Sequence, residues 1–105
     1  MMESVEIPKG FINYVWLFHQ DIDKEYGTDN PMASAMPHII EDIGEKNRKE
    51  LKYFLELLLK RNCSDETLEE AWNAPGPDWA ISRGGHRSFF KKTLDLIAEK
   101  YPDTP

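Results

Sequence analysis

Apolar residues in this chain recur with the period of a helix, and nowhere do they alternate long enough to pair as strands. Phe11, Tyr14, Val15, Phe18 and Ile22 fall at i, i+3, i+4, i+7 and i+11. That spacing draws one continuous stripe along a helix from residue 11 to about residue 26 and predicts its burial. Ile12, Trp16 and Leu17 widen the stripe, which predicts that this helix is central. Gly27 stands where a C-cap belongs, and Thr28-Asp29-Asn30-Pro31 reads as the turn that follows.

The same pattern returns at Leu51, Phe54, Leu55 and Leu58, predicting a helix over about 47–61 with Tyr53, Leu57 and Leu59 beside its stripe. Asn47 followed by Glu50 resembles a capping box at its start. A shorter helix is expected within 32–43, with Ile39, Ile40 and Ile43 on one face and Gly44 ending it. Proline has no N–H and crowds the preceding turn, so Pro37 is expected in a first turn rather than an interior. Ser64 as N-cap, with Asp65 and Glu66 at the positive end of the dipole, opens a fourth helix whose inward residues are Leu68, Ala71 and Trp72.

Ala74-Pro75-Gly76-Pro77-Asp78 must break that helix, and 79–82 reads as irregular, with Trp79 a packed lid over the core's open end. Gly84-Gly85 then turns the chain into a last helix, His86 to about Tyr101, with Phe90, Leu94, Ile97, Ala98 and Tyr101 inward. Five helices around one core make a compact all-α domain of residues 1–105, its core spanning about 7–101.

A chain of 105 residues has room for one core and buries roughly two-thirds of its unfolded surface, enough to fold without staples. Its one cysteine, Cys63, has no partner for an internal disulfide. No apolar run reaches membrane-spanning length, and the start, Met1-Met2-Glu3-Ser4-Val5-Glu6, lacks the basic and apolar segments of an export signal. A cytoplasmic location is the expectation.

The formal charge of −6 is unevenly placed. Residues 1–43 hold eight acids (Glu3, Glu6, Asp21, Asp23, Glu25, Asp29, Glu41, Asp42) against Lys9 and Lys24, whereas residues 44–105 balance eleven acids with eleven bases. An acidic half repels nucleic acid and anionic membrane and attracts basic proteins.

Three constellations bear on chemistry. His19 and Asp23 share a helix face at i, i+4, as two metal ligands would, but a third ligand is missing. The stretch around Asp21, Asp23 and Glu25 half-mimics a calcium loop and fails it, with Tyr26 at the glycine position and Met32 at the bidentate glutamate position. Arg83-Gly84-Gly85-His86-Arg87 opens a helix with free amides flanked by arginines, an arrangement able to hold a phosphate or carboxylate. The competing reading is a turn whose arginines pair with acids of the first helix. Cys63 just before an N-cap has no local motif for nucleophilic catalysis. No catalytic residue, metal ligand or cofactor is assigned, and the chain reads as a binder rather than an enzyme.

Phe18-His19-Gln20-Asp21-Ile22-Asp23-Lys24-Glu25-Tyr26-Gly27, following an aromatic-rich helix, resembles the opening of CdiI-type immunity proteins. These belong to bacterial contact-dependent growth inhibition (CDI) and related polymorphic toxin systems. The likeness continues through the leucine-rich Leu51–Leu59 region, the short helix after it, a Pro/Gly loop with an aromatic, and a last helix bearing Phe89-Phe90. Ile22 stands where that pattern carries tryptophan, and Pro37 is expected to interrupt the second helix.

The resemblance implies a cytoplasmic inhibitor that binds one cognate toxin domain, often a nuclease with a basic surface. Asp21, Asp23, Glu25 and Asp29, supported by Glu41 and Asp42, are the expected toxin-binding acids. His19, Gln20, Asp21, Asp23, Glu25, Tyr26 and Gly27 form the shared motif, whose recurrence fits a structural role as well as a binding one. The alternative is a small regulatory domain binding an anion or metal through His19 and Asp23 or through Arg83, His86 and Arg87.

Overall fold

A computed structural model of the chain describes residues 7–18, 31–61, 63–76, 81 and 84–104. Among these residues five helices follow in order: α1 (Lys9–Leu17), α2 (Pro31–Asp42), α3 (Gly44–Lys60), α4 (Asp65–Asn73) and α5 (His86–Lys100). Among the described residues there is no strand, and the fold is all-α. The longest helix, α3, carries α1 along one side and α5 along another; α4 packs on α5, and α2 touches α1, α3 and α5.

The stripes read from the sequence form the core. Phe11, Tyr14, Val15 and Phe18 from α1 and its end meet Leu51, Phe54, Leu55 and Leu58 from α3, all buried. Phe11 lies against Phe54 and Phe90 at ring-centroid distances of 4.8 and 5.8 Å, joining α1 to α3 and α5. Phe18 and Phe89 sit 5.8 and 5.3 Å from Trp72, tying α4 to both ends of the chain. The buried Tyr14 hydroxyl shares a 2.7 Å hydrogen bond with Thr93 Oγ1, so its polar tip is satisfied within this aromatic cluster. Burial holds that phenol far above its ordinary pKa and therefore neutral.

Close approach of α1 and α3 depends on Gly10. A Cβ there would lie 2.4 Å from the Asn47 carbonyl oxygen and 2.7 Å from Glu50 Cβ. The local sequence gives α1 no side-chain cap, since Pro8 stands at its N-cap. Glu50 supplies one from the neighbouring helix: its Oε1 accepts from the Gly10 N–H at 2.9 Å, a carboxylate on the positive end of a dipole. Asn47 and Glu50 are thus not a capping box. The third helix begins at Gly44, three residues earlier than expected, and Asn47 Nδ2 donates back to the Ile43 carbonyl at 2.6 Å.

Neighbouring polar residues of α3 fasten the remaining ends. Arg48 Nη1 donates to the Ile40 and Glu41 carbonyls, each at 3.1 Å, closing the C-terminus of α2 with positive charge. Its guanidinium also lies over the Tyr101 ring at 4.0 Å. Lys52 Nζ donates to the Thr104 carbonyl at 2.9 Å, holding the segment after α5. Between α2 and α3 the chain turns at Gly44, whose φ of 86° is the left-handed conformation that disfavours a side chain.

Several expectations need correction. α1 stops at Leu17, because the Phe18 amide bonds to the Val15 carbonyl and Phe18 leaves helical geometry at ψ 70°. Ile22, Gly27 and the 28–30 turn fall outside the described residues. Trp16 does not widen the core, being 57% exposed, and Tyr53 is 70% exposed. α2 runs unbroken through Pro37, its seventh residue, rather than starting there. An interior proline costs about 3 kcal/mol, but Ala35, Met36, Ile39 and Ile40 around it are buried, and each large apolar side chain returns about 1.5–3 kcal/mol. Ala98 is exposed rather than inward, and His86 and Thr93 join the core instead.

Candidate protein interface

Helix α4 has the sequence Asp-Glu-Thr-Leu-Glu-Glu-Ala-Trp-Asn. Leu68, Ala71 and Trp72 are pulled inward, so the acids at 65, 66, 69 and 70 are left to the other sides of the helix. Ser64 caps the start as expected, its Oγ accepting from the Thr67 N–H at 3.3 Å. Glu66, Glu69 and Glu70, with Asn73 and Ala74, line an open hollow of about 370 Å³. No lysine or arginine occurs anywhere in residues 64–81.

The next residue after this hollow, Pro75, is held by α1. Trp16 Nε1 donates to the Pro75 carbonyl at 2.6 Å, while more than half of the indole stays open to solvent. Trp16 also borders a second open hollow, about 270 Å³, shared with Asn13, Leu17, Asp42, Ile43 and Asn47. Trp16 therefore shares one hollow with Asp42 and is bonded to Pro75, the residue that follows Ala74 of the acidic α4 hollow; these groups make up the candidate strip. Glu41, also exposed, adjoins Asp42 at the end of α2.

Of the acids expected to bind a partner, the structure brings Asp42 beside Trp16 and leaves Glu41 next to it. Asp21, Asp23, Glu25 and Asp29, and with them His19, Gln20, Tyr26 and Gly27, lie outside the described residues, as do Trp79 and Arg83. As a binding surface the α4 acids are hidden in the sequence, because a charge sum over residues 44–105 cancels them against bases on α3 and α5. A window confined to residues 64–81 carries the signal.

At the start of α5, Arg87 is already engaged. It donates to the Cys63 carbonyl and lies 3.9 Å from an Asp65 carboxylate oxygen. The expected pairing with acids of the first helix is thus corrected for Arg87, whose acid is at the start of α4. Such a half-exposed ion pair is worth little by itself. Cys63 contributes its carbonyl here, and its side chain is half-buried. Among the described residues no group of three or more His, Cys, Asp or Glu is placed to hold a metal ion. No described helix is long and apolar enough to cross a membrane.

His86 is 2% exposed, and its Nδ1 is buried with no hydrogen-bond partner. Burial pushes its pKa below the ordinary 6.5, against the opposing pull of Glu69 and Asp65. The unfolded chain then takes up a proton more readily than the folded one. The stability due to neutral His86 is therefore fully present above pH 6.5 and declines as pH falls below that value towards the folded-state pKa. Urea melts at pH 7.5 and 5.5 (values chosen to bracket about 6.5) are expected to show a loss at the lower pH that His86→Leu diminishes. An equal loss in both proteins would assign it to other groups.

Comparison with models of protein families, with curated proteins and with solved structures finds no match.

Proposed function

We propose that this chain is an immunity protein, which binds and neutralises a cognate toxin domain of a contact-dependent growth inhibition system in the cytoplasm without catalysing a reaction. The observation that carries the reading is the exposed Trp16, which shares a hollow with Asp42 and bonds to Pro75 next to the acidic hollow of α4. Tryptophan is enriched among the few residues that dominate binding energy, because it buries a large rigid surface at small entropic cost. Carboxylates around such an anchor select against anionic partners and draw in cationic ones, raising association rates by about tenfold to a thousandfold.

A nuclease toxin meets this description from the other side. To hold a phosphate backbone it must present lysine and arginine, and that surface is what an acidic strip complements. The strip would cover the nucleic-acid-binding face, so inhibition follows from competition for the same cations. The family resemblance carried by His19, Gln20, Asp21, Asp23, Glu25, Tyr26 and Gly27 supports the same class of partner.

Co-expression with a candidate toxin domain from a gene adjacent to the one for this chain tests the reading. Cells are expected to survive the toxin, and the two proteins to copurify as a stable complex. Death of cells expressing both an active toxin and folded inhibitor would refute it.

A further inference from the structure

The solvent face of α3 is separate from the acidic strip and shares no residue with it. Along that face the exposed residues Glu45, Lys49, Tyr53, Glu56 and Lys60 follow at intervals of four, four, three and four. Their charges read minus, plus, tyrosine, minus, plus. Reversed end for end, the order becomes plus, minus, tyrosine, plus, minus, which is the complement of the original at every charged position.

We propose that α3 pairs antiparallel with α3 of a second copy of this chain, about a two-fold axis passing beside Tyr53. In that register Glu45 faces Lys60 of the second copy and Lys49 faces its Glu56, and two-fold symmetry repeats both pairs. Four ion pairs thus flank a central pair of tyrosines. Of the charges exposed along the helix, Lys46 alone has no opposite in this register. A parallel arrangement or a register shifted by one turn sets like charges against each other, so the pattern selects orientation as well as partner.

The surroundings of Tyr53 suit this occupant. The ring is 70% exposed, the most exposed large apolar side chain of the described residues. Two open hollows adjoin it. One, of about 260 Å³, is lined by Pro8, Glu50, Phe54 and Leu57; the other, of about 570 Å³, by Glu56, Leu57, Leu59, Lys60 and Leu94. Leu57 borders both hollows and offers the second tyrosine an apolar contact, while Glu56 and Lys60 at the rim of the larger one are groups the pairing uses. The four charged residues also have the i, i+4 spacing of pairs within one helix. None of them makes an ion pair with a described residue, which leaves each available to the second copy. A single helix face is small for an interface, and the dimer is accordingly weak and salt-sensitive.

Sedimentation velocity on the full chain, from micromolar to near-millimolar concentration, tests the pairing with two charge-swapped variants. Lys49→Glu with Lys60→Glu makes the face wholly acidic, and Glu45→Lys with Glu56→Lys makes it wholly basic. The wild-type chain is expected to dimerise with rising concentration, and each variant alone to dimerise at least about tenfold more weakly. An equimolar mixture of the two variants is expected to dimerise at least as well as wild type. The mixture also shows that both variants are folded. A wild-type chain that stays monomeric overturns the proposal, as do variants that dimerise unchanged or a mixture that remains monomeric while circular dichroism shows both to be helical.

Discussion

Gly10→Ala is expected to destabilise the chain by about 3 kcal/mol, although alanine is the better helix former by about 1 kcal/mol. The new methyl group would stand 2.4 Å from a backbone carbonyl oxygen of α3. Backbone cannot turn aside as a long side chain can, so α1 and α3 must separate by most of an ångström. Overpacking of that kind costs about 1–3 kcal/mol. Separation also stretches the 2.9 Å bond from the Gly10 amide to Glu50, and hydrogen bonds to charged groups are worth about 1.5–3 kcal/mol. For a domain of this size the sum lowers the melting temperature by about 10–20 °C. Calorimetry or thermal circular dichroism reads the shift. A rise in melting temperature, the propensity effect alone, would contradict the close crossing.

Trp72→Ala is expected to cost about 3–5 kcal/mol, the range for emptying a buried aromatic site. Trp72 has no exposed surface and touches both Phe18 and Phe89, so no single neighbour can move in to fill the space. Against a total stability of about 5–15 kcal/mol this leaves a marginal fold. The effect extends to binding. α4 is nine residues long, too short to persist without packing, and Trp72 is its largest buried side chain. Loss of that anchor releases the helix that displays Glu66, Glu69 and Glu70. The variant is expected to lose affinity for the toxin domain together with stability, whereas Trp72→Phe keeps part of both. Urea denaturation paired with a binding isotherm separates these outcomes; full affinity in Trp72→Ala would mean that α4 does not take part.

Much of the fold is written in side-chain periodicity. The buried faces of α1, α3 and α4 are the residues their spacing marks, because those faces pack on one core and local pattern coincides with global environment. The ends of the helices are less legible. Glu50 caps a helix forty residues earlier in the chain, and Arg48 closes α2, and neither contact can be found by looking within one helical turn. Pro37 misleads for a related reason. Its cost is local and visible, while the burial that outweighs it comes from helices elsewhere.

The candidate interface is legible only in pieces. Asp42 and the α4 acids were each present as letters, but what joins them is Trp16, and a tryptophan near an apolar stripe reads as core. Its place on α1, off the face of Phe11, Tyr14 and Val15, leaves it exposed, and the Pro75 carbonyl holds its indole nitrogen. The face of α3 is the reverse case: its charges read as an ordinary solvated surface until the helix is in place and their order about Tyr53 can be seen.

The most direct test of toxin binding through the acidic strip is the association rate of the purified toxin domain with wild-type chain and with a Glu66→Lys, Glu69→Lys, Glu70→Lys variant, each at low and high salt. The expected result is a rate for wild type that falls steeply with salt, and for the variant a rate at least about tenfold lower at low salt with little salt dependence. Equal rates and equal salt dependence in the two proteins would contradict binding through that strip.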